Sequence, residues 1–196
     1  SPAIVDLYLF PVSNPHLVPE EVSNYELGIT QHLWERKVEV ELVGFINKGE
    51  NLIQVMPVEG SPKSVNSGSF SNKGLEGHVK YHPGGGINFM VNYSRTDVSE
   101  NILYAPEQMV KLLVNYPVKR FLFTAEVHHV DGLRNTLMPD RPLEAYQLVN
   151  LKSNYRLSNH VRLFVEGNNL LDAQYEIEEG YPMPGTHVLG GLHVRF

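Results

Sequence analysis

The stretch Ile87–Arg95, with the sequence INFMVNYSR, decides the fold because its side chains alternate in character from one residue to the next. The two sets are Ile87, Phe89, Val91 and Tyr93 on one side, and Asn88, Met90, Asn92 and Ser94 on the other. A period of two places such sets on opposite faces of a β-strand. The stretch therefore predicts a strand that separates an apolar environment from a more polar one.

The same alternation recurs along the chain and predicts about nine strands, while helix signals are nearly absent. The predicted strands are Asn24–Gln31, Lys37–Asn47, Lys73–Tyr81, Ile87–Arg95, Gln108–Tyr116, Phe121–His129, Tyr146–Tyr155, Val161–Asn168 and His187–Phe196. The fold class is therefore all-β. We expect the apolar faces to include Val40, Leu42, Phe89, Val91, Leu112, Val114, Phe123, Leu163, Val165 and Leu192.

The links between these strands alternate strictly between short and long. Short links lie at 34–36, 82–86, 117–120 and 157–160, and long links at 48–72, 96–107, 130–145 and 169–186. In an up-and-down meander this alternation gathers tight turns at one end of the sheet and long loops at the other, as in outer-membrane barrels. A Greek-key sandwich has no reason to keep it. The pattern favours an antiparallel meander from a transmembrane β-barrel, and the alternative is a soluble, secreted β-sandwich that binds a ligand.

Composition excludes several other classes of protein. The chain has 196 residues, 42% hydrophobic and 19% charged, without the run of about 18 apolar residues that a membrane-spanning helix needs. Barrel strands need only about 9–11 residues, with every second one apolar. The absence of cysteine excludes disulfides and Cys-ligated metals. The net charge is -6 and no basic patch stands out; Lys119-Arg120 predicts a polar turn and not a nucleic-acid contact.

Aromatic residues give a further indication of a membrane boundary. Tyr81, Tyr93, Tyr116 and Tyr155 are expected on the apolar face next to the short turns, where an interfacial aromatic girdle belongs. The last predicted strand places Val188, Gly190, Leu192, Val194 and Phe196 on one face. An apolar strand that ends on an aromatic residue fits the same interpretation.

Several motifs follow one another in a fixed order along most of the chain. They are Asn14-Pro15-His16-Leu17-Val18-Pro19-Glu20 with Asn24–Gly28, then Asn72–Glu76, Ala105-Pro106, Val165–Asp172, and finally Tyr175, Gly180–Gly185 and Phe196. In this order they resemble the N-P-x-L-x-P-E…Y-E-x-G, N-x-G-x-E, A-P and N-L-x-D…Y…G-Y-P-x-P-G-R…F segments of TonB-dependent receptors of the bacterial outer membrane. Thr186 departs from the pattern, since the family usually has arginine after P-G. The residues that carry the resemblance, and for which we expect structural roles, are Asn14, Pro15, Leu17, Pro19, Glu20, Tyr25, Glu26, Gly28, Gly74, Glu76, Asn169, Leu170, Asp172, Tyr175, Gly180, Pro184, Gly185 and Phe196.

The resemblance implies a receptor that imports a scarce nutrient, such as a siderophore, haem, cobalamin or a glycan, across the outer membrane of a Gram-negative bacterium. Residues 1–196 would be the C-terminal segment of a 22-stranded barrel whose N-terminal plug domain is absent here. The implied partners are the outer-membrane bilayer, the plug and remaining strands of the same receptor, TonB through the missing N-terminal part, and the barrel-assembly machinery through Phe196. The chain starts at Ser1-Pro2 without methionine or signal peptide, which we expect of a mature start or an excised fragment.

The motif residues also have physical reasons to be where they are. Proline cannot donate to a β-ladder, so Pro15 and Pro19 are expected in loops or where strands begin. Glycine within a strand pattern, as at Gly28 and Gly190, indicates a bend or a close neighbour. Glu26 is expected to face the lumen with Glu76, because carboxylates on the lipid face would be costly.

No residue set predicts a catalytic, cofactor or metal site. The nine histidines include His128-His129, His187 and His193, which we interpret as solvated or lumen-facing side chains and not as haem or metal ligands. Pro83–Gly86 precedes a strand and not a helix, so it predicts a tight turn and no phosphate cradle. Glu39 with Glu41, and Glu178 with Glu179, have no partner base nearby in sequence. We therefore expect no enzymatic activity, and the ligand-binding residues stay unknown because long loops and the plug would set the substrate.

Overall fold

The structure, a computed structural model, describes residues 2–100, 102–136 and 142–195. Within them, the chain forms a short π-helical segment at Val5–Leu9 and thirteen strands. The strands are β1 Glu21–Leu33, β2 Val38–Glu50, β3 Ile53–Val58, β4 Ser61–Asn66, β5 Phe70–Gly84, β6 Ile87–Asp97, β7 Gln108–Val118, β8 Phe121–Asp131, β9 Tyr146–Arg156, β10 Val161–Asn168, β11 Glu176–Glu178, β12 Tyr181–Pro182 and β13 His187–Val194. Among the described residues no helix is long and apolar enough to cross a membrane.

Nine of these strands form one sheet, which confirms the predicted meander. Their order is β1-β2-β5-β6-β7-β8-β9-β10-β13. Each neighbour in the sheet is the next long strand along the chain, and the pairings from β6 to β13 are antiparallel. The alternative of a β-sandwich is wrong, because the long strands build one nine-stranded sheet.

The alternation of short and long links is also confirmed. The short links are 34–37, 85–86, 119–120 and 157–160, and the long ones are 51–69, 98–107, 132–145 and 169–186. Most strands run two or three residues beyond the predicted bounds, and two prolines that we placed in short links lie within strands of the nine-stranded sheet. Pro83 is next to last in β5, and Pro117, next to last in β7, pairs with Leu122. A strand end tolerates proline because the ladder there does not need its missing N–H.

The cross-strand register assigns the side chains to two faces. Val91 lies opposite Leu112, which lies opposite Val127, so these residues share the apolar face. Asn92 lies opposite Lys111, which lies opposite His128 on the polar face. The same alternation continues through β9, β10 and β13. The strand assignment made from Ile87–Arg95 therefore holds across this part of the sheet.

One aromatic residue was assigned to the wrong end. Tyr81, Tyr116 and Tyr155 do lie near short turns, but Tyr93 lies near the far end of β6, opposite Val110, close to a long link. Phe121 and Phe123 complete the group at the short-turn end, and their rings stack with centroids 5.6 Å apart. The Phe121 ring lies 4.7 Å from that of Tyr155.

Two of the long links contain strands that were not predicted. β3 and β4 form a hairpin from Ile53↔Asn66 to Val58↔Ser61 within link 51–69, and β11 and β12 form a short ladder within link 169–186. Glu59 and Gly60, at the hairpin tip, both have positive φ, of 51° and 84°. This is the backbone geometry of a two-residue hairpin turn.

The chain divides into two compact units. The first consists of 1–26 and 45–73, and contains the π-helical segment and the β3–β4 hairpin. The second consists of 27–44 and 74–196, and contains most of the sheet.

Candidate functional site

The residues predicted to lie on the apolar face of the sheet are mostly exposed. Leu42 is 57% exposed, Leu112 39%, Val165 57% and Leu192 64%. Of the ten residues assigned to this face, only Val40 and Val114 are half-buried, and the rest are exposed. Such a face needs an apolar surrounding, because contiguous exposed apolar surface of this extent is rare on soluble monomers.

The polar face carries charged pairs that link neighbouring strands. Lys80 Nζ lies 2.9 Å from a Glu39 carboxylate oxygen. Lys111 and Glu126 are 3.1 Å apart, and Lys152 and Glu166 are 2.7 Å apart. Each pair joins one strand to its neighbour and leaves both side chains partly exposed. The face is thus suited to contact water or polar groups.

A cavity of about 380 Å³ opens on this polar face. Its lining includes Glu41, Glu76, His78, Asn92, Lys111 and His128. His78 Nδ1 forms a short hydrogen bond with Asn92 Oδ1, and its Nε2 is buried without a partner. Glu76 of the N-x-G-x-E motif therefore lies on the polar face of the sheet.

The closing motif folds into a corner around Asn169, which is 3% exposed. Its Oδ1 accepts from Ala173 N at 2.9 Å, and its Nδ2 donates to Ala173 O at 2.9 Å and to Pro184 O at 3.2 Å. Its backbone oxygen accepts from Asp172 N at 2.9 Å and from the Thr186 hydroxyl at 2.6 Å. One buried amide thus fixes both ends of the link between β10 and β13.

The neighbours of Asn169 complete this corner. Asp172 Oδ1 accepts from Thr186 N at 2.9 Å. A Cβ on Gly185 would lie 2.5 Å from the same oxygen, and a Cβ on Gly167 would lie 2.8 Å from Leu170 Cδ2. Thr186, the residue that departs from the family pattern, is therefore part of the corner through its hydroxyl and its backbone.

The remaining closing-motif residues lie farther along the same link. The Tyr175 ring lies 4.4 Å from that of Tyr146 at the start of β9. Gly180 has a φ of 81°, a conformation that favours glycine, and its N–H donates to a Glu176 carboxylate oxygen at 2.8 Å. Phe196, the last residue of the motif, lies outside the described residues.

The N-P-x-L-x-P-E motif contacts the unpredicted hairpin within the first unit. Asn14 Nδ2 donates to Ser64 O at 2.9 Å, and Leu17 is 9% exposed. Glu20 accepts from Ile53 N at 2.7 Å. Pro15 and Pro19 are exposed and lie outside any strand, as expected.

The sequence did not predict the hairpin residue that forms hydrogen bonds with this motif, Asn66. Asn66 Oδ1 accepts from Val18 N at 3.0 Å, and its Nδ2 donates to Val18 O at 3.0 Å and Asn51 O at 2.7 Å. Glu59-Gly60 between two short segments was the available signal, because X-Gly is typical of hairpin turns.

Two glycines within strands lie near atoms of the neighbouring strand. A Cβ on Gly28 would lie 3.3 Å from Val43 Cγ2, and one on Gly190 would lie 3.6 Å from Phe164 O. Tyr25 and Glu26 are both exposed on β1. Gly74 is half-buried near the start of β5.

Within the described residues, the carboxylate pairs Glu39/Glu41 and Glu178/Glu179 and the histidines do not come together in a reaction centre. Glu39 bonds to Lys80 and to His32, and Glu178 accepts a 2.7 Å hydrogen bond from the Tyr104 hydroxyl. That bond to a carboxylate raises the pKa of Tyr104 above its usual value. In the same part of the chain, no group of three or more His, Cys, Asp or Glu side chains could hold a metal ion. The register places His128 on the polar face and His129 on the apolar one, with His187 and His193 on the polar face.

A long-stranded meander with one exposed apolar face, one polar face and alternating link lengths is the kind of sheet that forms the wall of a transmembrane β-barrel. The family model described as "TonB dependent receptor-like, beta-barrel" matches residues 1–170. The chain therefore belongs to the family of TonB-dependent receptors, and the part of these receptors that it matches is the β-barrel.

Individual relatives agree with this assignment. The vitamin B12 transporter BtuB of Vibrio vulnificus is 22% identical over 185 residues, which cover 90% of this chain and 29% of BtuB. The structure of the copper transporter OprC matches all of this chain with a TM-score of 0.80 at 16% identity. The pyoverdine outer membrane receptor FpvA from Pseudomonas aeruginosa matches 94% of this chain with a TM-score of 0.69 at 20% identity. At these identities the two structural matches establish the fold.

The chain is shorter than these relatives. It spans 29% of the length of BtuB, 36% of OprC and 31% of FpvA.

Proposed function

We propose that this chain is the C-terminal segment of the barrel of a TonB-dependent receptor in the outer membrane of a Gram-negative bacterium. The whole receptor would import a scarce nutrient such as a siderophore, haem, cobalamin or a glycan. The single observation that carries the proposal is the nine-stranded meander with alternating links, found in a chain that belongs to this family. The named cargoes of the relatives, vitamin B12, copper and pyoverdine, support transport of a small cargo and differ among themselves.

The proposed partners follow from the two faces and the two free edges of the sheet. The apolar face contacts the bilayer, and the polar face contacts the plug domain. β1 and β13, at the edges, pair with the remaining strands of the receptor. TonB acts through the N-terminal part of the receptor, and Phe196 is the proposed signal for the barrel-assembly machinery.

The family-motif residues have structural roles in this proposal. Asn169, Asp172 and Gly185 hold the last long link, and Asn14 and Glu20 hold the first. No enzymatic role is proposed for the chain, because its relatives are transporters and receptors.

Nutrient-dependent growth tests this function. A strain that lacks the receptor is supplied, in separate cultures, with cobalamin, ferric siderophores, haem, copper or a glycan as the limiting nutrient. We expect one of these cultures to grow only when the intact receptor gene is restored and TonB is present. The proposal would be contradicted if the receptor gene restored growth equally well with and without TonB. It would also be contradicted if the receptor fractionated with soluble proteins.

A further inference from the structure

Basic side chains from three neighbouring strands form a line across the polar face at the short-turn end of the sheet. Arg156 of β9 lies directly opposite Arg162 of β10, which lies directly opposite His193 of β13. Each lies four residues along its strand from the row of Lys152 and Glu166, so it shares their polar face. All three side chains are exposed. We call Arg156, Arg162 and His193 the basic row.

The basic row has no acidic counterpart within the described residues. The stretches 153–165 and 190–195 contain no Asp or Glu, and Arg195 adds a further positive charge. In the same part of the chain, neither arginine of the row forms an ion pair. Like charges directly opposite each other destabilise a sheet, so the wall carries a cost that a bound acidic group would remove.

The acidic residue closest to Arg162 along β10 is held elsewhere. Glu166 lies four residues from Arg162, about 13 Å along the strand, and accepts a 2.7 Å hydrogen bond from Lys152. Phe164 lies between them on the polar face, with Lys152 Nζ 5.3 Å from its ring centre. Its ring also covers Gly191, where a Cβ would lie 2.8 Å from a ring carbon. The basic row is therefore left for a group from another part of the receptor.

The bilayer does not reach the basic row. The residues next to its members, Tyr155, Leu163 and Leu192, pair with one another on the apolar face. Successive residues of a strand point to opposite faces, so the row points away from that side. In the proposed barrel it faces the lumen, at the end of the wall away from the long links. Its partner is therefore something that fills the lumen near the short turns.

We propose that the basic row is a docking surface for an acidic segment of the plug domain. The inference rests on the proposed function, which places the plug against the polar face. Adjacent strands lie about 4.8 Å apart, so three strands give a row about 10 Å long. Two carboxylates on one face of an extended segment are about 7 Å apart and match that length. Each would accept charge-assisted hydrogen bonds from an arginine.

A resident segment fits the basic row better than a passing cargo. The repulsion between Arg156 and Arg162 is present in the receptor at rest, so only a partner that is present at rest removes it. An anionic cargo would meet the row only during transport. It would then have to leave two strong donors in order to enter the periplasm, which would slow its release.

Photo-crosslinking in the intact receptor identifies the partner of the basic row. The crosslinking residue p-benzoylphenylalanine is placed at Asn154, which lies opposite Phe164 on the polar face and leaves both arginines in place. The matched control carries it at Leu163, on the apolar face of the neighbouring strand. We expect Asn154 to give a crosslink to a plug peptide that contains Asp or Glu, and Leu163 to give a crosslink to lipid. A plug peptide without acidic residues, capture of cargo alone, or no polypeptide product at Asn154 would overturn the proposal.

Removal of the charges gives a second measurement. R156Q/R162Q should release the plug at a lower urea concentration than the wild type, measured as ion conductance through the receptor in a planar bilayer. At low salt we expect the open fraction in moderate urea to rise roughly ten-fold, because hydrogen bonds to charged groups are the strong ones. In about 1 M salt, where charges are screened within about 3 Å, the difference should shrink.

The matched control for charge removal is R36Q/K37Q, which takes two positive charges from another short turn. It should open at the same urea concentration as the wild type. Equal plug release by R156Q/R162Q and by this control at low salt would overturn the proposal.

The stability of the barrel itself separates docking from a purely structural role. R156Q/R162Q should leave the denaturant midpoint of barrel unfolding unchanged or higher, because it removes repulsion between facing charges. A barrel that unfolds earlier, in step with plug release, would overturn the proposal. Failure of the proposed function is recognised separately, because Leu163 would then give no crosslink to lipid, whatever Asn154 captures.

Discussion

At the scale of single residues, Leu112 and Leu113 allow a direct test of the two faces. They are adjacent in β7, but Leu112 lies on the apolar face opposite Val127, and Leu113 lies on the polar face opposite Glu126. Leu112→Arg should cost about 2–4 kcal/mol of barrel stability, as charged residues do on the lipid face near mid-membrane. Leu113→Arg should cost much less, since its new charge lies next to Glu126.

Detergent-based refolding titrations of the intact receptor measure the difference, and equal losses at Leu112 and Leu113 would contradict the assignment of faces. Phe89 and Asn88 are less suitable positions for this test. Phe89 stacks on Tyr81, with centroids 5.9 Å apart, near the short turn and away from mid-membrane. Asn88 donates to Gly86 O at 3.2 Å and also bonds to His82, so a change there would not be silent.

Asn169 allows the corner between β10 and β13 to be tested. Asn169→Ala removes three side-chain hydrogen bonds and leaves the partly buried backbone N–H and C=O of Ala173 without their partner. The expected loss is about 2 kcal/mol of unfolding free energy or more, because unsatisfied buried polar groups cost about 1–3 kcal/mol each. Asn159→Ala, at an exposed short turn, should stay within about 0.5 kcal/mol of the wild type. An Asn169 variant as stable as the Asn159 variant would show that the corner does not hold the link.

At the scale of strands and links, the two ends of the sheet should lie on opposite sides of the membrane. Gly60 is at the tip of the β3–β4 hairpin in a long link, and Gly85 is in a two-residue turn at the other end. An epitope inserted at Gly60 of the intact receptor should be accessible to antibody on whole cells, whereas one at Gly85 should not. Surface labelling at Gly85 would reverse the topology. Asn135 is a poor insertion site despite its place in a long link, because it is 7% exposed.

The long strands could be predicted from the sequence and the short ones could not, for a physical reason. Strands such as β6 and β10 separate two environments, so their apolar and polar residues must alternate over eight residues or more. The β3–β4 hairpin is held by its own ladder and by polar contacts from Asn66. Such contacts leave no periodicity in the sequence.

The candidate sites divide in a similar way. The motif around Asn169 could be found because its partners are close in sequence and appear in the family pattern. The polar cavity near His78 could not, because only the strand register brings its lining residues together.

At the scale of the whole molecule, the isolated chain should not behave as a stable soluble monomer. β1 and β13 are the two edges of the nine-stranded sheet, and every residue of β1 is exposed. Free edges and an exposed apolar face both drive association. We expect the chain to need detergent or to pair with another copy, as measured by sedimentation without detergent. A compact monomer with cooperative unfolding would be incompatible with an open piece of barrel wall.

The corner around Asn169 separates the last long link into a fixed base and an exchangeable tip. At the base, hydrogen bonds from Asn169 and Asp172 to Pro184 and Thr186 hold the two ends of the link together. The connection between β10 and β13 therefore does not depend on the residues between Gln174 and Met183. Tyr175 and Glu178 contribute contacts of their own, to Tyr146 and Tyr104, but these lie on the tip and not at its base. Such a division allows the exposed part of the link to diverge, or to be replaced with a foreign peptide for display, while the wall beneath it keeps its register.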